Sequence, residues 1–365
     1  MGKKINIGVL FGGKSSEHEV SLLSAKNVIG GLDRNKYDIH LIGIDKQGQW
    51  HLHDEAVFLL NADNPKQVCL APPTTSVALT LRKEDKQLLS LSGKPLLQKL
   101  DVVFPVLHGT NGEDGTVQGI LKLADIPFVG ASVLGSAINM DKDVMKRLLR
   151  DAGIPAAKFM TYKRSALSQI SFENIKNELG LPFFIKPANG GSSVGISKIR
   201  SSEGFMEKVL EAFSYDNKII FEEGIEGREI ECAVLGNDYP IVSLPGEVIH
   251  TNDFFDYEAK YLPGGLIFEA PAKVSEKDVP RFQEVALKTY KTLCAEGMAR
   301  VDFFFKPNGE ILVNEINTIP GFTSLSTYPT LWKASGLNYS ELLDRLIELA
   351  LERSEQEKSL RSSFL

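Results

Sequence analysis

The densest chemistry in the chain lies between Met298 and Asn317, which reads Met-Ala-Arg-Val-Asp-Phe-Phe-Phe-Lys-Pro-Asn-Gly-Glu-Ile-Leu-Val-Asn-Glu-Ile-Asn. Asn308-Gly309 between two apolar runs predicts a two-residue type I′ hairpin. That turn sets Asp302 opposite Glu315 and Arg300 opposite Asn317. Strand alternation then places all four on one face. Val301, Phe303, Phe305 and Ile316 fall on the other face, as core. Two carboxylates directly opposite each other repel, and a divalent cation reverses that sign. Asp302, Glu315 and Asn317 form an all-oxygen set suited to Mg²⁺, with positions left for phosphates and water. The alternative is a solvated polar face on which Arg300 neutralises the acids.

Two glycine-rich loops have the composition to receive phosphate. Gly8–Ser15 satisfies the literal Gly-x-x-x-x-Gly-Lys-Ser pattern. Its context is wrong, because Gly8 lies inside an apolar strand rather than after it. The loop can still offer helix N-terminal N–H groups to a ligand. Asn189–Gly195 lies between two expected strands and follows Lys186-Pro187. Its adjacent glycines let backbone N–H groups approach phosphates, and Lys186 adds charge. An ordinary Gly-Ser connection is the alternative.

The elements that must carry these residues alternate. Ile5–Phe11 reads as a strand. A helix follows to about Gly30, opened by a Ser16/Glu19 capping box. Tyr37–Ile44 and Asp101–Val106 are strands, and Val117–Ala124 is a helix. This alternation predicts a parallel α/β first domain. The stretch 64–99 is turn-rich and reads as peripheral. Beyond a helix over about Lys142–Ala152, strands fit Phe183–Lys186, Val194–Ile199, Lys218–Glu222, Glu229–Leu235 and Ile241–Leu244. His250–Gly265 has no periodicity, and a long loop inside a compact protein is usually functional. A helix over Glu276–Cys294 precedes the strands Ala299–Lys306 and Ile311–Asn317. Leu342–Glu352 is amphipathic, with a polar, frayed tail after it.

The chain has 365 residues, 43% hydrophobic and 24% charged, which is globular composition. At about 100–200 residues per domain it holds two or three domains. Its 41 basic and 47 acidic residues give a net charge of −6. An acidic chain without a basic block is a poor nucleic-acid or membrane binder, although a local pocket can still hold an anion. Cys69, Cys232 and Cys294 have neither disulfide nor zinc spacing. No secretory leader, myristoylation site or membrane span is expected, so the location reads as cytoplasmic.

Seven motifs in order resemble the ATP-grasp enzymes, and within them the D-alanine–D-alanine ligases. They run from Gly-Gly-Lys-Ser-Ser-Glu-His-Glu-Val-Ser at 12–21, through His108-Gly109 with Gly112–Gly115, Met140–Lys142, Lys186-Pro187 with Gly191–Gly195, Tyr257–Tyr261 and Arg300–Asp302, to Asn314–Asn317. Pro320–Ser324 closes the resemblance, which covers nearly the whole chain.

The resemblance implies a mixed α+β, ATP-grasp fold: an N-terminal parallel α/β domain plus two subdomains with antiparallel sheets. We expect them at 1–140, 141–225 and 226–365, the second with the phosphate loop and the third with the metal site and a lid loop. It implies ATP-dependent ligation of two D-alanines through an acyl phosphate, for peptidoglycan precursor synthesis. Lys142, Lys186 and Lys260 would contact phosphates. Glu222 would reach the adenine amino group, Ile225 the ring and Glu229 the ribose, with Ser193 and Glu223 in the same nucleotide site. Asp302, Glu315 and Asn317 would bind two Mg²⁺ ions, with Mn²⁺ as a substitute. Arg300 and the N–H of Gly321 would stabilise the acyl phosphate and the tetrahedral intermediate. Glu17 would meet the first substrate's ammonium, with Ser192 and Tyr261 bonded to it. Ser326 would bind the second substrate's carboxylate, and His108 would line the pocket.

Each has a plainer alternative: Glu17 at a helix dipole, Glu19 as a cap, His108 as a structural histidine, Tyr261 as loop packing. Tyr261 favours an amine nucleophile over D-lactate, because relatives that make the depsipeptide typically replace it. The family is commonly homodimeric. A depsipeptide ligase, a non-catalytic ATP-binding module and a P-loop NTPase are the competing readings.

Overall fold

The computed structural model describes residues 3–81, 88–91, 99–250, 266–323 and 325–361. Lys260 and Tyr261, with nearly all of the His250–Gly265 loop, lie outside the described residues, as does Ser324.

In β1 (Ile5–Gly12), Ile7, Val9, Leu10 and Phe11 are fully buried, so both faces are apolar. Two-sided burial suits a central parallel strand. β1 pairs in parallel with β2 (Tyr37–Ile44) and β8 (Val102–Val106). α1 (His18–Gly31) connects β1 to β2. The sheet is not wholly parallel. β3 (Trp50–His53), β6 (Thr75–Leu79) and β7 (Leu88–Ser90) extend it by antiparallel pairing, in the order β7-β6-β3-β2-β1-β8. β4 (Leu59–Leu60) and β5 (Cys69–Leu70) form a separate two-stranded ladder. The turn-rich 64–99 stretch thus supplies a sheet edge, with strands too short for alternation to register. The capping box expected at α1 does not form. Glu17 is the N-cap, and Glu19 pairs with Lys46 Nζ at 2.6 Å.

His53 packs against the Phe11 ring and the Gly43 backbone. Burial, with a smaller push from His51, lowers it to about 4 from 6.5. Between these values the unfolded chain binds more protons than the folded one, so stability falls as pH drops from 6.5 toward 4. His53→Leu is expected to flatten that part of the curve, measured by urea unfolding at neutral and acidic pH. A curve of wild-type slope would refute the assignment.

α2 (Thr116–Leu123), α3 (Val133–Met140) and α4 (Lys142–Asp151) lead out of the first domain. Asp141 caps α4, its carboxylate accepting from the N–H groups of Asp143 and Val144 at 3.1 Å. The central sheet, in the order β11-β10-β12-β9, is wholly antiparallel: β9 (Phe159–Lys163), β10 (Phe183–Pro187), β11 (Ser197–Ile199) and β12 (Lys218–Glu223). α5 (Phe172–Leu179) and α6 (Phe205–Tyr215) cover it, with Phe183, Phe205, Phe213 and Phe221 in one buried cluster. β11 begins at Ser197 rather than Val194. Ser192 and Ser193 have φ of 50° and 60°, left-handed values that interrupt extended backbone.

The third sheet is also antiparallel: β13 (Arg228–Gly236), β14 (Ile241–Val242), β15 (Gly246–His250), β16 (Leu266–Glu269), β17 (Gly297–Phe305) and β18 (Ile311–Asn317). Its order is β16-β15-β13-β17-β18, with β14 beside β13. α7 (Asp278–Thr292) buries Phe282, Ala286 and Tyr290 against Ile230, Val301 and Phe303. α8 (Thr327–Ala334) and α9 (Tyr339–Ser359) follow. α9 opens with a capping box from Asn338 and Glu341, and its Leu342, Leu346 and Ile347 join the core beneath β1. The tail expected to fray is helix. Arg353 turns inward there and donates to the carbonyls of Gly130 and Phe128 at 2.6 and 2.8 Å, anchoring the helix past its apolar stripe.

The β17–β18 hairpin differs from expectation twice. Lys306 N–H donates to Glu310 O, so the loop is the three residues Pro307, Asn308 and Gly309. Only Gly309 of these has positive φ, 81°, which matches a type I turn with a following glycine bulge rather than type I′. A register shift then falls between Asp302 and Phe303, with Asp302 opposite Glu315 and Phe303 opposite Val313. Asn314 is the extra residue. The two offsets cancel, so Asp302 still faces Glu315 and Arg300 still faces Asn317.

Candidate active site

β13, β17 and β18 set three carboxylates abreast: Glu231, Asp302 and Glu315 occupy paired positions on adjacent strands. Arg300 lies on the same face. It grips Asp302 with two 2.7 Å bonds and comes within 3.2 Å of Glu231. Asn317 Nδ2 donates to Asp302 Oδ2 at 3.0 Å. Burial, then Glu231 and Glu315, push Asp302 up to about 7 against the pull of Arg300. Burial works to lower Arg300, but Asp302 and Glu231 hold it well above its ordinary value. Crowded carboxylates with a raised proton affinity are what a cation relieves. Asp302, Glu315 and Asn317 offer only oxygen donors once the Asn317 amide turns, which fits a hard divalent ion.

α4 points Lys142 and Lys146, one turn apart, in one direction. Lys142 Nζ donates to Gly190 O at 2.8 Å and sits 3.7 Å from Glu315. It therefore bridges the glycine loop and the third sheet. Lys186 on β10 meets Glu222 Oε1 on β12 at 2.6 Å, and Lys146 meets Glu222 Oε2 at 2.7 Å. Burial alone would raise Glu222, but the two ammonium groups hold it at about 2.

Asp216 fixes the base of the 189–195 loop, accepting from Asn189 N and Nδ2 at 2.8 and 2.9 Å. The tip of the loop reaches the first domain, where Ser192 Oγ donates to Glu17 Oε1. A Cβ on Gly191 would come within 2.7 Å of Glu17 Oε2, so any larger residue there would displace that carboxylate.

His108 Nδ1 lies 3.0 Å from Ile319 O, an acceptor only, so Nδ1 carries the proton. Nε2 then accepts from Ser24 Oγ at 3.2 Å, and Ser24 Oγ accepts from Phe322 N at 3.3 Å. Burial lowers the ring's proton affinity despite Glu17 and Ile319 O. Both ring nitrogens are engaged within the protein, in keeping with the structural alternative. The ring ties the 319–322 loop to the first domain. Glu113 ties the same loop, accepting from Gly109 N and Ile319 N at 2.7 and 3.1 Å. On that loop Gly321 faces Ser326, whose Oγ a Cβ would meet at 2.6 Å.

One cavity of about 1010 Å³ lies among these groups, lined by α1 and loops of the first domain and by strands of the other two sheets. Glu17 and His108 line it from the first domain, and Lys142, Lys186, Ser192, Ser193, Glu222, Glu223 and Ile225 from the centre. Glu229, Arg300, Asp302, Glu315, Asn317, Gly321 and Ser326 complete it. The Glu223 carboxylate turns aside to accept from Lys158 N at 2.7 Å.

Comparison with known proteins assigns the family. Two family models, described as the D-ala D-ala ligase N-terminus and C-terminus, match residues 6–131 and 148–348. The chain belongs to the D-alanine–D-alanine ligase family. It is 53% identical to the D-alanine–D-alanine ligase of Shouchella clausii, over all of this chain and 99% of that protein. It is 51% identical to D-alanine–D-alanine ligase A of Escherichia coli K12, over 99% of this chain and all of that one. Among solved structures, the D-alanine-D-alanine ligase from Coxiella burnetii matches with a TM-score of 0.82, at 39% identity and 97% coverage of both chains. The VanG D-Ala:D-Ser ligase from Enterococcus faecalis matches with a TM-score of 0.82, at 40% identity, over 95% of this chain and all of that one.

Membership of the D-alanine–D-alanine ligase family makes the protein an ATP-dependent ligase of the ATP-grasp fold, requiring ATP and a divalent metal. Lys146 and Glu231 escape a sequence reading, and Glu113 falls inside the Gly112–Gly115 motif with no role of its own legible there. Glu231 alternates with Glu229 on β13, which is the one signal that marks it as facing the same side.

The Gly-x-x-x-x-Gly-Lys-Ser match does not reach this cavity. Lys14 lines a smaller one of about 380 Å³, beside Ile44, Trp50 and Leu107. Lys14→Ala is expected to leave the KM for ATP within about twofold, whereas Lys186→Ala raises it about tenfold or more. Equal effects in steady-state assays would reverse the assignment of the two loops.

Proposed function

We propose that the protein ligates two D-alanines to D-alanyl-D-alanine, with ATP cleaved to ADP and phosphate by way of an acyl phosphate. The observation that carries the reading is the single cavity where the glycine loop, two lysines, Arg300 and the Asp302–Glu315–Asn317 face converge. The product serves cell-wall synthesis, and we place the enzyme in the cytoplasm as a homodimer. Among the described residues no helix is long and apolar enough to cross a membrane.

Phosphoryl transfer is mainly positioning and charge neutralisation. Lys142, Lys186 and Lys260 hold the phosphates beneath the 189–195 loop. Glu222 keeps lone pairs beyond its two ion pairs for the adenine amino group. Ile225 offers backbone groups to the ring, Glu229 takes the ribose, and Ser193 and Glu223 border the nucleotide. Asp302, Glu315 and Asn317 hold the divalent metal, read as two Mg²⁺ ions with Mn²⁺ as a substitute. Bound there, the metal neutralises phosphate charge.

Glu17, steadied by Ser192 and Tyr261, takes the ammonium of the first D-alanine. Its carboxylate oxygen accepts the γ-phosphoryl group of ATP, and ADP leaves. Ser326 takes the carboxylate of the second D-alanine, whose neutral amine attacks the acyl carbon. The amine then loses a proton, and the carbon–oxygen bond to phosphate breaks. Arg300 and the Gly321 N–H stabilise the negative charge on the oxygens throughout, as an oxyanion hole does. His108 lines the pocket and holds the Gly321 loop in place.

The test is incubation with ATP, Mg²⁺ and single amino acids, following phosphate and product mass. Phosphate and dipeptide from D-alanine but not L-alanine are expected. ATP binding without turnover would favour a non-catalytic module, and turnover only with an added D-hydroxy acid would favour a depsipeptide ligase. Tyr261→Phe is expected to raise activity with D-lactate relative to D-alanine as second substrate. An unchanged ratio across pH would count against the role given to Tyr261.

A further inference from the structure

Lys146 has no role in the reaction as derived so far, yet among the described residues it is the most deeply placed cation at the site. Its side chain is 1% exposed, and its ammonium lies 2.7 Å from Glu222 Oε2, itself 2% exposed. The other oxygen of Glu222 meets Lys186 Nζ at 2.6 Å, and Lys186 is 12% exposed. An ammonium this deep is costly unless it is paired. Here one carboxylate serves two ammonium groups. With both lysines protonated the cluster carries one net positive charge, and Lys186 and Glu222 are its members on the cavity wall.

We propose that Lys146 is a positioning residue for nucleotide binding: it is the buried counter-charge of Glu222, which leaves the charge of Lys186 available to the triphosphate. Without Lys146, Glu222 and Lys186 would cancel, and the pair would offer a polyanion no net positive charge. The arrangement follows from α4. One turn of helix separates Lys142, at the loop carbonyl of Gly190, from Lys146, behind Glu222. A single helix face thus supplies one cation to the loop and another to the ion pair beneath it. The inference rests on the reading of this cavity as the ATP site.

The test compares the KM for ATP with the KM for D-alanine in the full chain. Lys146→Met is expected to raise the KM for ATP about tenfold, with the KM for D-alanine within about twofold. Lys146→Gln keeps an N–H donor for Glu222 but loses the charge. It should behave like the methionine variant, and it carries the test if that variant fails to fold. Lys146→Arg, which keeps the charge, should recover most of the ATP affinity. A glutamine variant with the wild-type KM for ATP, or a parallel rise in both KM values, would overturn the proposal. Failure of the wild-type protein to saturate with ATP would instead remove the nucleotide reading itself, so the two failures are distinct.

Discussion

Arg300→Met is expected to lower turnover by about a thousandfold, the scale of removing a main donor to a developing oxyanion. Arg300 is part-buried between Asp302 and Glu231, so water screens its charge less than at the open surface. The loss should fall on kcat more than on either KM, because the interaction strengthens as charge gathers on the acyl phosphate and the tetrahedral carbon. Removal also leaves Glu231 and Asp302 without the cation they pair with, so thermal melting should accompany the kinetics. A folded variant that keeps turnover within about tenfold would deny Arg300 its role.

Asp302→Asn is expected to weaken Mg²⁺ activation and turnover together, each by about a hundredfold. Asp302 is the middle member of the row Glu231, Asp302 and Glu315 and takes bonds from both Arg300 and Asn317. An amide keeps the shape and removes the anionic donor. The check is a titration of activity against Mg²⁺ concentration. If half-activation and maximal rate both stay at their wild-type values, the metal does not bind at this face.

The pairing of Asp302 with Glu315 is legible because Asn308-Gly309 and strand alternation are local signals. The length of the turn is not. A three-residue loop and the bulge at Asn314 offset each other, and nothing in the spacing separates that from a two-residue turn with no bulge. The first sheet shows the same limit. β1 and β2 announce themselves through apolar runs, whereas β6 and β7, the outermost pair on one side of the sheet, depend on neighbours already in place.

α9 outruns its amphipathic stripe because Arg353 finds two carbonyls across the domain, 223 and 225 residues earlier in the chain. Lys146 hides for a similar reason. A lysine between Met145 and Leu149 on a helix reads as a solvent-facing side chain until Glu222 arrives from β12. The contact from Ser192 to Glu17 spans 175 residues, and only the motif order connects those two positions in the sequence.

The acyl phosphate is the claim on which the roles of Arg300, Gly321 and the lysines all depend. It predicts the fate of one oxygen atom. With D-alanine carrying 18O in both carboxylate oxygens, ATP and Mg²⁺, the phosphate released should carry one 18O per dipeptide formed, and the new peptide carbonyl should keep the other. Mass analysis of phosphate and product reads both. Phosphate free of label, alongside dipeptide formation, would contradict the account.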